Sequence, residues 1–151
     1  MGLTTFKVNL FLFFKLPSAF FCGVRLKYIS DSKSIVTVKH SWFNKNPFQS
    51  LYFAVQAMAA ELSTGALVLS RIKIHNRNMS ILVANTTANF SKKAKGRISF
   101  TCLDGESIEK HIMKAIETAE GQTFWMHSTG VDEQGDVVSN FKFEWTIKLK
   151  I

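Results

Sequence analysis

The chain has 151 residues, 46% of them hydrophobic and 20% charged, with eight Gly and two Pro. That composition excludes a disordered or fibrous chain and predicts one compact domain over residues 1–151, large enough to bury a core. Nineteen basic residues against 11 acidic ones leave a net charge of +8, which implies an anionic partner: nucleic acid, an acidic membrane face or a phosphorylated small molecule.

Two cysteines, Cys22 and Cys102, lie far apart and form no CxxC, so neither a disulfide framework nor a cysteine zinc site is expected. A reducing, cytoplasmic setting follows. The apolar run Val8 to Phe14 after Lys7 imitates a signal peptide, but Lys15 and Pro17 end it short of the ~20 residues of a membrane span. Phe20 and Phe21 also stand where a cleavage site wants small residues. No membrane span is expected there. The sequons at Asn78, Asn85 and Asn89 therefore carry no weight.

The first predicted element is a helix over about Thr4 to Phe14, stopped by Pro17, within an N-terminal helical extension of residues 1–20. Two runs with period-two alternation, Val24 to Ile29 and Ile35 to His40, flank the polar turn Ser30-Asp31-Ser32-Lys33 and predict a hairpin. Asn46 reads as an N-cap, Pro47 as the first helical position and Gly65 as a stop, which predicts a helix over Phe48 to Thr64. That helix is apolar nearly all round and so should be buried. Strands follow at Met79 to Phe90 and Arg97 to Leu103, around the basic turn Ser91 to Gly96. An amphipathic helix is predicted over Glu106 to Ala119, ended by Gly121. The last strands, Thr123 to Val131 and Val137 to Leu149, flank Asp132-Glu133-Gln134-Gly135. On the final strand Val137, Phe141, Phe143, Trp145, Ile147 and Leu149 alternate with polar residues, as expected of an antiparallel sheet with one wet face.

An antiparallel sheet combined with one fully buried helix is similar to the α+β hotdog fold, in which the sheet wraps a long central helix. Three stretches carry the resemblance. Asn44-Lys45-Asn46-Pro47-Phe48 resembles the family's polar entry to its central helix. Phe90-Ser91-Lys92-Lys93-Ala94-Lys95-Gly96 resembles its basic turn, with Lys93 in place of the usual proline, and Val131 to Val138 its closing hairpin. The match runs from about Val24 to Ile151, with the N-terminal helix and the second, amphipathic helix as additions. The nearest group is the thioesterase-like one resembling phenylacetate-pathway thioesterases, including subfamilies with no assigned activity. The resemblance implies a homodimer or dimer of dimers with acyl-CoA sites where protomers meet, coenzyme A being part of the substrate and not a cofactor.

Thioester hydrolysis needs a donor for the carbonyl oxygen and a carboxylate to attack or to activate water. The donors expected are the backbone N–H groups of Ser50, Leu51 and Tyr52 at the helix start. The resemblance puts the family's acid near Ala57, which has no functional group, and the usual His-Gly-Gly is missing. Glu61 lies one turn further on, and Ser50, Ala54, Ala57 and Glu61 form one helical stripe whose small members leave room for substrate. Three roles stay open for Glu61: base or nucleophile, polar anchor, or exposed helix end. Gln49, Gln56 and Ser63 form a second polar stripe that suits a helix-to-helix dimer contact better than substrate contact. Asn46 and Gln56 border the site, and Lys92, Lys93, Lys95 and Arg97, with Arg71, Lys73 and Arg77, are either coenzyme A phosphate contacts or a solvated loop.

His40, His75, His111 and His127 lack metal-ligand spacing, so no metal site is expected. No GxSxG elbow, Walker loop or dinucleotide fingerprint occurs. Three functions remain: a thioesterase acting on acyl-CoA, a non-catalytic acyl-ligand-binding protein of the same fold, and a basic single-stranded nucleic-acid-binding module. The last is disfavoured because Trp125, Phe141, Phe143 and Trp145 alternate as core residues should.

Overall fold

The computed structural model describes residues 2–150. Helix α1 spans Thr5–Lys15, and the Thr4 side chain caps it by accepting a hydrogen bond from the Lys7 N–H. Val8 and Leu12 bury its inner face, and Asn9 exchanges two hydrogen bonds with the backbone of Leu26, at 2.9 and 3.0 Å. Pro17 does not merely stop this helix. Its fixed φ and missing N–H suit a first helical position, and it opens a second short helix, α2, over Pro17–Phe21.

Six strands form one antiparallel sheet: β1 (Arg25–Ile29), β2 (Ser34–Lys39), β3 (Met79–Phe90), β4 (Arg97–Cys102), β5 (Gln122–Val131) and β6 (Val137–Leu149). Their order across the sheet is β1-β2-β4-β5-β6-β3, so β1 and β3 are the edges. Along β6 the inward set is Phe141, Phe143, Trp145 and Ile147. Val137 departs from the expected face and is exposed, because it sits at the hairpin end where the β5–β6 register shifts.

The sheet curls around helix α3, Phe53–Ile74, the arrangement that the hotdog resemblance implies. By length and apolar composition α3 would also pass as a membrane span, but most of its apolar window is buried within the fold. Its ends differ from the expected Phe48 to Thr64. Asn46 does accept from the N–H groups of Phe48 and Ser50, at 3.0 and 3.2 Å, yet Gln49 takes a φ of 61° and the chain leaves this turn without starting a helix. Gly65 lies mid-helix and terminates nothing, because the apolar pattern continues through Leu67, Val68 and Ile72.

The polar side chains of α3 reach the sheet and not a second helix. Gln56 accepts from the Ser139 hydroxyl at 2.8 Å, Ser63 pairs with Ser128 at 2.7 Å, and the Trp145 indole N–H donates to Thr64 at 3.0 Å. Gln49 lies outside the helix altogether. The second polar stripe thus satisfies buried groups inside the protomer.

Helix α4, Gly105–Thr118, buries Ile108, Ile112 and Ala115 against α3 and β5. Ala119, not Gly121, takes the left-handed conformation at its end, with φ 56°. Its first residue presses on the β1–β2 turn: a Cβ on Gly105 would lie 2.3 Å from the Asp31 carbonyl oxygen.

Candidate functional site

At 100° per residue, Ala54, Ala57 and Glu61 fall on one face of α3. That face meets α1 and α2 on one side and the inner faces of β3 and β6 on the other. A cavity of about 490 Å³ lies there, walled by Leu16, Ala19, Phe53, Met58, Val83 and Phe143, with Ala54, Ala57 and Glu61 on its floor. A neighbouring one of about 240 Å³ is lined by Phe11, Leu16, Gly65, Leu69, Ile81 and Trp145. Glu61 borders both.

Its carboxylate has no cation within 4.0 Å and no hydrogen-bond donor among the described residues; the Thr64 hydroxyl donates to its backbone carbonyl instead. Burial among apolar walls therefore pushes its pKa up from 4.5 to about 7. Gly65 is part of this geometry. A Cβ there would stand 3.2 Å from the Trp145 ring and 3.4 Å from Glu61 Oε1, so the ring and the carboxyl group flank a bare stretch of helix. The Trp145–Thr64 hydrogen bond holds the ring in that position.

The expected carbonyl-holding amides are already engaged. The Ser50 N–H donates to Asn46 Oδ1, that of Leu51 to Ala94 O at 2.8 Å and that of Tyr52 to Asn44 O at 3.0 Å. The later helix start moves the free donors along the chain. Phe53 and Ala54, in the first turn of α3, have no intrachain acceptor among the described residues, and Tyr52 offers no side-chain cap. Both border the Glu61 cavity. Seven residues of rise put Ala54 about 10 Å from Glu61 along the axis, and the Glu61 side chain leans back toward the N-terminus.

A separate cavity of about 420 Å³ gathers Asn46, Ser50, Leu51, Gln56, Lys92 and Lys93, with Phe53 shared between it and the Glu61 side. Gln56 is buried and committed to Ser139 and the Leu51 carbonyl. Lys92 bonds Asp132 and Asp136, both at 2.6 Å, which raises its pKa and holds the Asp132 carboxyl below its ordinary value. The Lys93 ammonium donates to the Phe48 carbonyl. Lys95 and Arg97 lie outside both cavities, and the Arg97 N–H donates to Glu133. The basic turn is largely a locked hairpin neighbour and only partly an open phosphate cradle.

The histidines are dispersed: His75 pairs with Glu109 at 2.8 Å, His127 with Asp104 at 3.0 Å, and His111 stacks on Phe124. No three metal-ligating side chains cluster among the described residues. Sequence reasoning missed Phe11, Leu16, Gly65 and Trp145 as cavity walls. A glycine inside an otherwise unbroken apolar helix was the one local signal for a close approach.

A family model described as a domain of unknown function (DUF4442) matches residues 7–147. Solved structures are similar over nearly the whole chain. A Pseudomonas aeruginosa protein of unknown function, described as a probable thioesterase, is 24% identical with a TM-score of 0.83, covering 99% of each chain. A Chlorobaculum tepidum protein of unknown function is 16% identical with the same TM-score and coverage. A Haemophilus influenzae thioesterase is 11% identical, with a TM-score of 0.73 over 99% of this chain and 93% of that one. Among curated proteins none matches the sequence. The fold is the hotdog fold, and the length matched in these structures takes in α1 and α4.

Proposed function

We propose that this chain, a member of the DUF4442 family of domains of unknown function, binds an acyl-CoA thioester along α3 and hydrolyses it, with Glu61 as the base or nucleophile. The observation that carries this reading is an unpaired, largely buried carboxylate bordering an apolar cavity that is also lined by Phe53 and Ala54, the residues with free amides at the helix start. In the general-base form, the Glu61 carboxylate takes a proton from water as the water oxygen bonds to the thioester carbonyl carbon. The Phe53 and Ala54 amides hold the resulting oxyanion. The intermediate collapses by breaking the C–S bond, and the departing thiolate takes the proton back from Glu61. Lys93 and Lys95 supply positive charge for coenzyme A phosphates, Lys92 being neutralised by two aspartates. A free-thiol release assay on short, medium, long and aromatic acyl-CoAs tests the reading. Cleavage of at least one class above the spontaneous rate is expected; none for any class sinks it, and tight binding without cleavage leaves an acyl-ligand-binding protein in its place.

The partner in this reading is a second copy of the chain. Strand β3 offers 12 residues along an edge with no partner strand among the described residues, and such an edge is a template for strand addition. Ile81 and Val83, which wall the Glu61 cavities, lie on that strand, so a β3-to-β3 dimer sets the two sites beside its interface. Sedimentation velocity at micromolar concentration should find the dimer mass; a monomer removes the homodimer from the proposal.

A further inference from the structure

Helix α1 runs antiparallel to α3 across a groove of about 380 Å³ that joins the Glu61 side at Phe11, Leu62 and Leu69. The size falls within the range of small-ligand cavities, roughly 300–1,000 Å³. Lys7 and Phe11 on α1, with Leu3 just ahead of the helix, face the groove; on α3 the row is Leu62, Ala66, Leu69 and Lys73. Both rows step by three or four residues, so each is one helical face. Apart from two lysines its walls carry no hydrogen-bonding side chain, which suits a polymethylene chain and not the amides of a pantetheine arm. Those two polar lining residues are Lys7 and Lys73, the latter in the last turn of α3. Neither has a carboxylate within 4.0 Å among the described residues, whereas their neighbour Arg71 pairs with Asp31 and Glu109 is taken by His75.

We propose that the groove between α1 and α3 seats a linear, saturated chain whose distal end is an anion held between Lys7 and Lys73. Twelve residues of α3 separate Glu61 from Lys73, about 18 Å of rise, and both side chains lean back toward the N-terminus, the longer lysine slightly more. The remaining ~16 Å is spanned by roughly 13 bonds of extended chain at about 1.2 Å each. The ligand is therefore a chain of about 12–16 carbons ending in a carboxylate. In a thioester it would be an acyl group with a second carboxylate at its far end; the alternative source is a free fatty acid. This substrate assignment rests on the proposed role of Glu61, but occupancy of the groove does not.

Isothermal titration with octanoate and octanol tests occupancy without any turnover. Octanoate should bind about tenfold more tightly than octanol, and the Lys7→Met/Lys73→Met double variant should remove that difference while the exposed positions leave the fold intact. Leu69→Trp, which fills the groove, should weaken both ligands. Equal binding of the two probes by the parent chain, or unchanged octanoate affinity in the double variant, overturns the site. Turnover then separates the sources: faster kcat/KM on tetradecanedioyl-CoA than on tetradecanoyl-CoA, lost in the double variant, identifies the carboxyacyl substrate, and equal rates with intact octanoate binding identify a free fatty acid. Lysine-dependent octanoate binding with no thioester cleaved would remove the hydrolase reading and leave this site standing.

Discussion

Glu61→Gln should lower kcat for thioester cleavage by about 10²–10⁴, the usual contribution of a positioned acid or base. The amide keeps the size of the side chain but can neither accept a proton nor attack a carbonyl carbon. The parent enzyme should also show a particular pH profile. Because the carboxylate is the working form and its pKa is raised to about 7, log kcat/KM should fall by one for each pH unit below about 7 and level off above it. Stability should move the other way. Glu61 titrates near 4.5 when unfolded and near 7 when folded, so between those values the native state holds more protons and stability falls as pH rises. The loss is on the order of 1–3 kcal/mol, complete above about pH 7. In Glu61→Gln that part of the slope should vanish, as urea unfolding at pH 5 and pH 8 would show. A variant that cleaves as fast as the parent, or a parent whose rate is flat from pH 5 to 8, excludes the mechanism.

Gly105→Ala should destabilise the fold by about 2–4 kcal/mol, with a melting temperature lower by roughly 5–15 °C. The new methyl group would meet backbone and not a movable side chain: the Asp31 carbonyl oxygen at 2.3 Å, Ser32 Cα at 2.7 Å and Ser32 C at 2.8 Å. Either α4 or the β1–β2 turn has to withdraw. If the turn withdraws, Arg71 loses the Asp31 carbonyl it bonds at 3.0 Å; if α4 withdraws, Ile108 and Ile112 leave the core. Differential scanning calorimetry reads the shift. An unchanged midpoint would mean that the helix and turn are not packed as tightly as this contact requires.

The strands were legible because alternation is local. β3 and β6 begin and end where the pattern predicts, and β1, β2, β4 and β5 differ by a residue or so at their ends. The buried helix was legible from its uniform apolarity, but its ends were not. Asn46-Pro47 carries a helix-start signature that a turn can satisfy equally, since Asn46 Oδ1 caps amides in both. Gly65 carries the signature of a helix stop, and the reason it stands inside the helix, the Trp145 ring, lies 80 residues away in sequence. Glu61 could be singled out because it is the one charge in the apolar stretch Phe48 to Thr64. That it has no partner, and that α1 closes the cavity beside it, depends on contacts between distant segments, which no local pattern encodes. The same holds for Gln56 and Ser63, whose need for partners was readable and whose partners, Ser139 and Ser128, were not.

Gly65 costs the helix about 1 kcal/mol relative to alanine on intrinsic preference alone. Selection for thermal resistance alone would therefore favour Ala at this position. The substitution would add its Cβ 3.2 Å from the Trp145 ring and 3.4 Å from the Glu61 carboxyl group, displacing the aromatic wall the cavity is built on. Rigidity and cavity shape compete for the same atom, and a more heat-tolerant version of this protein obtained by that route would be one whose pocket had changed shape.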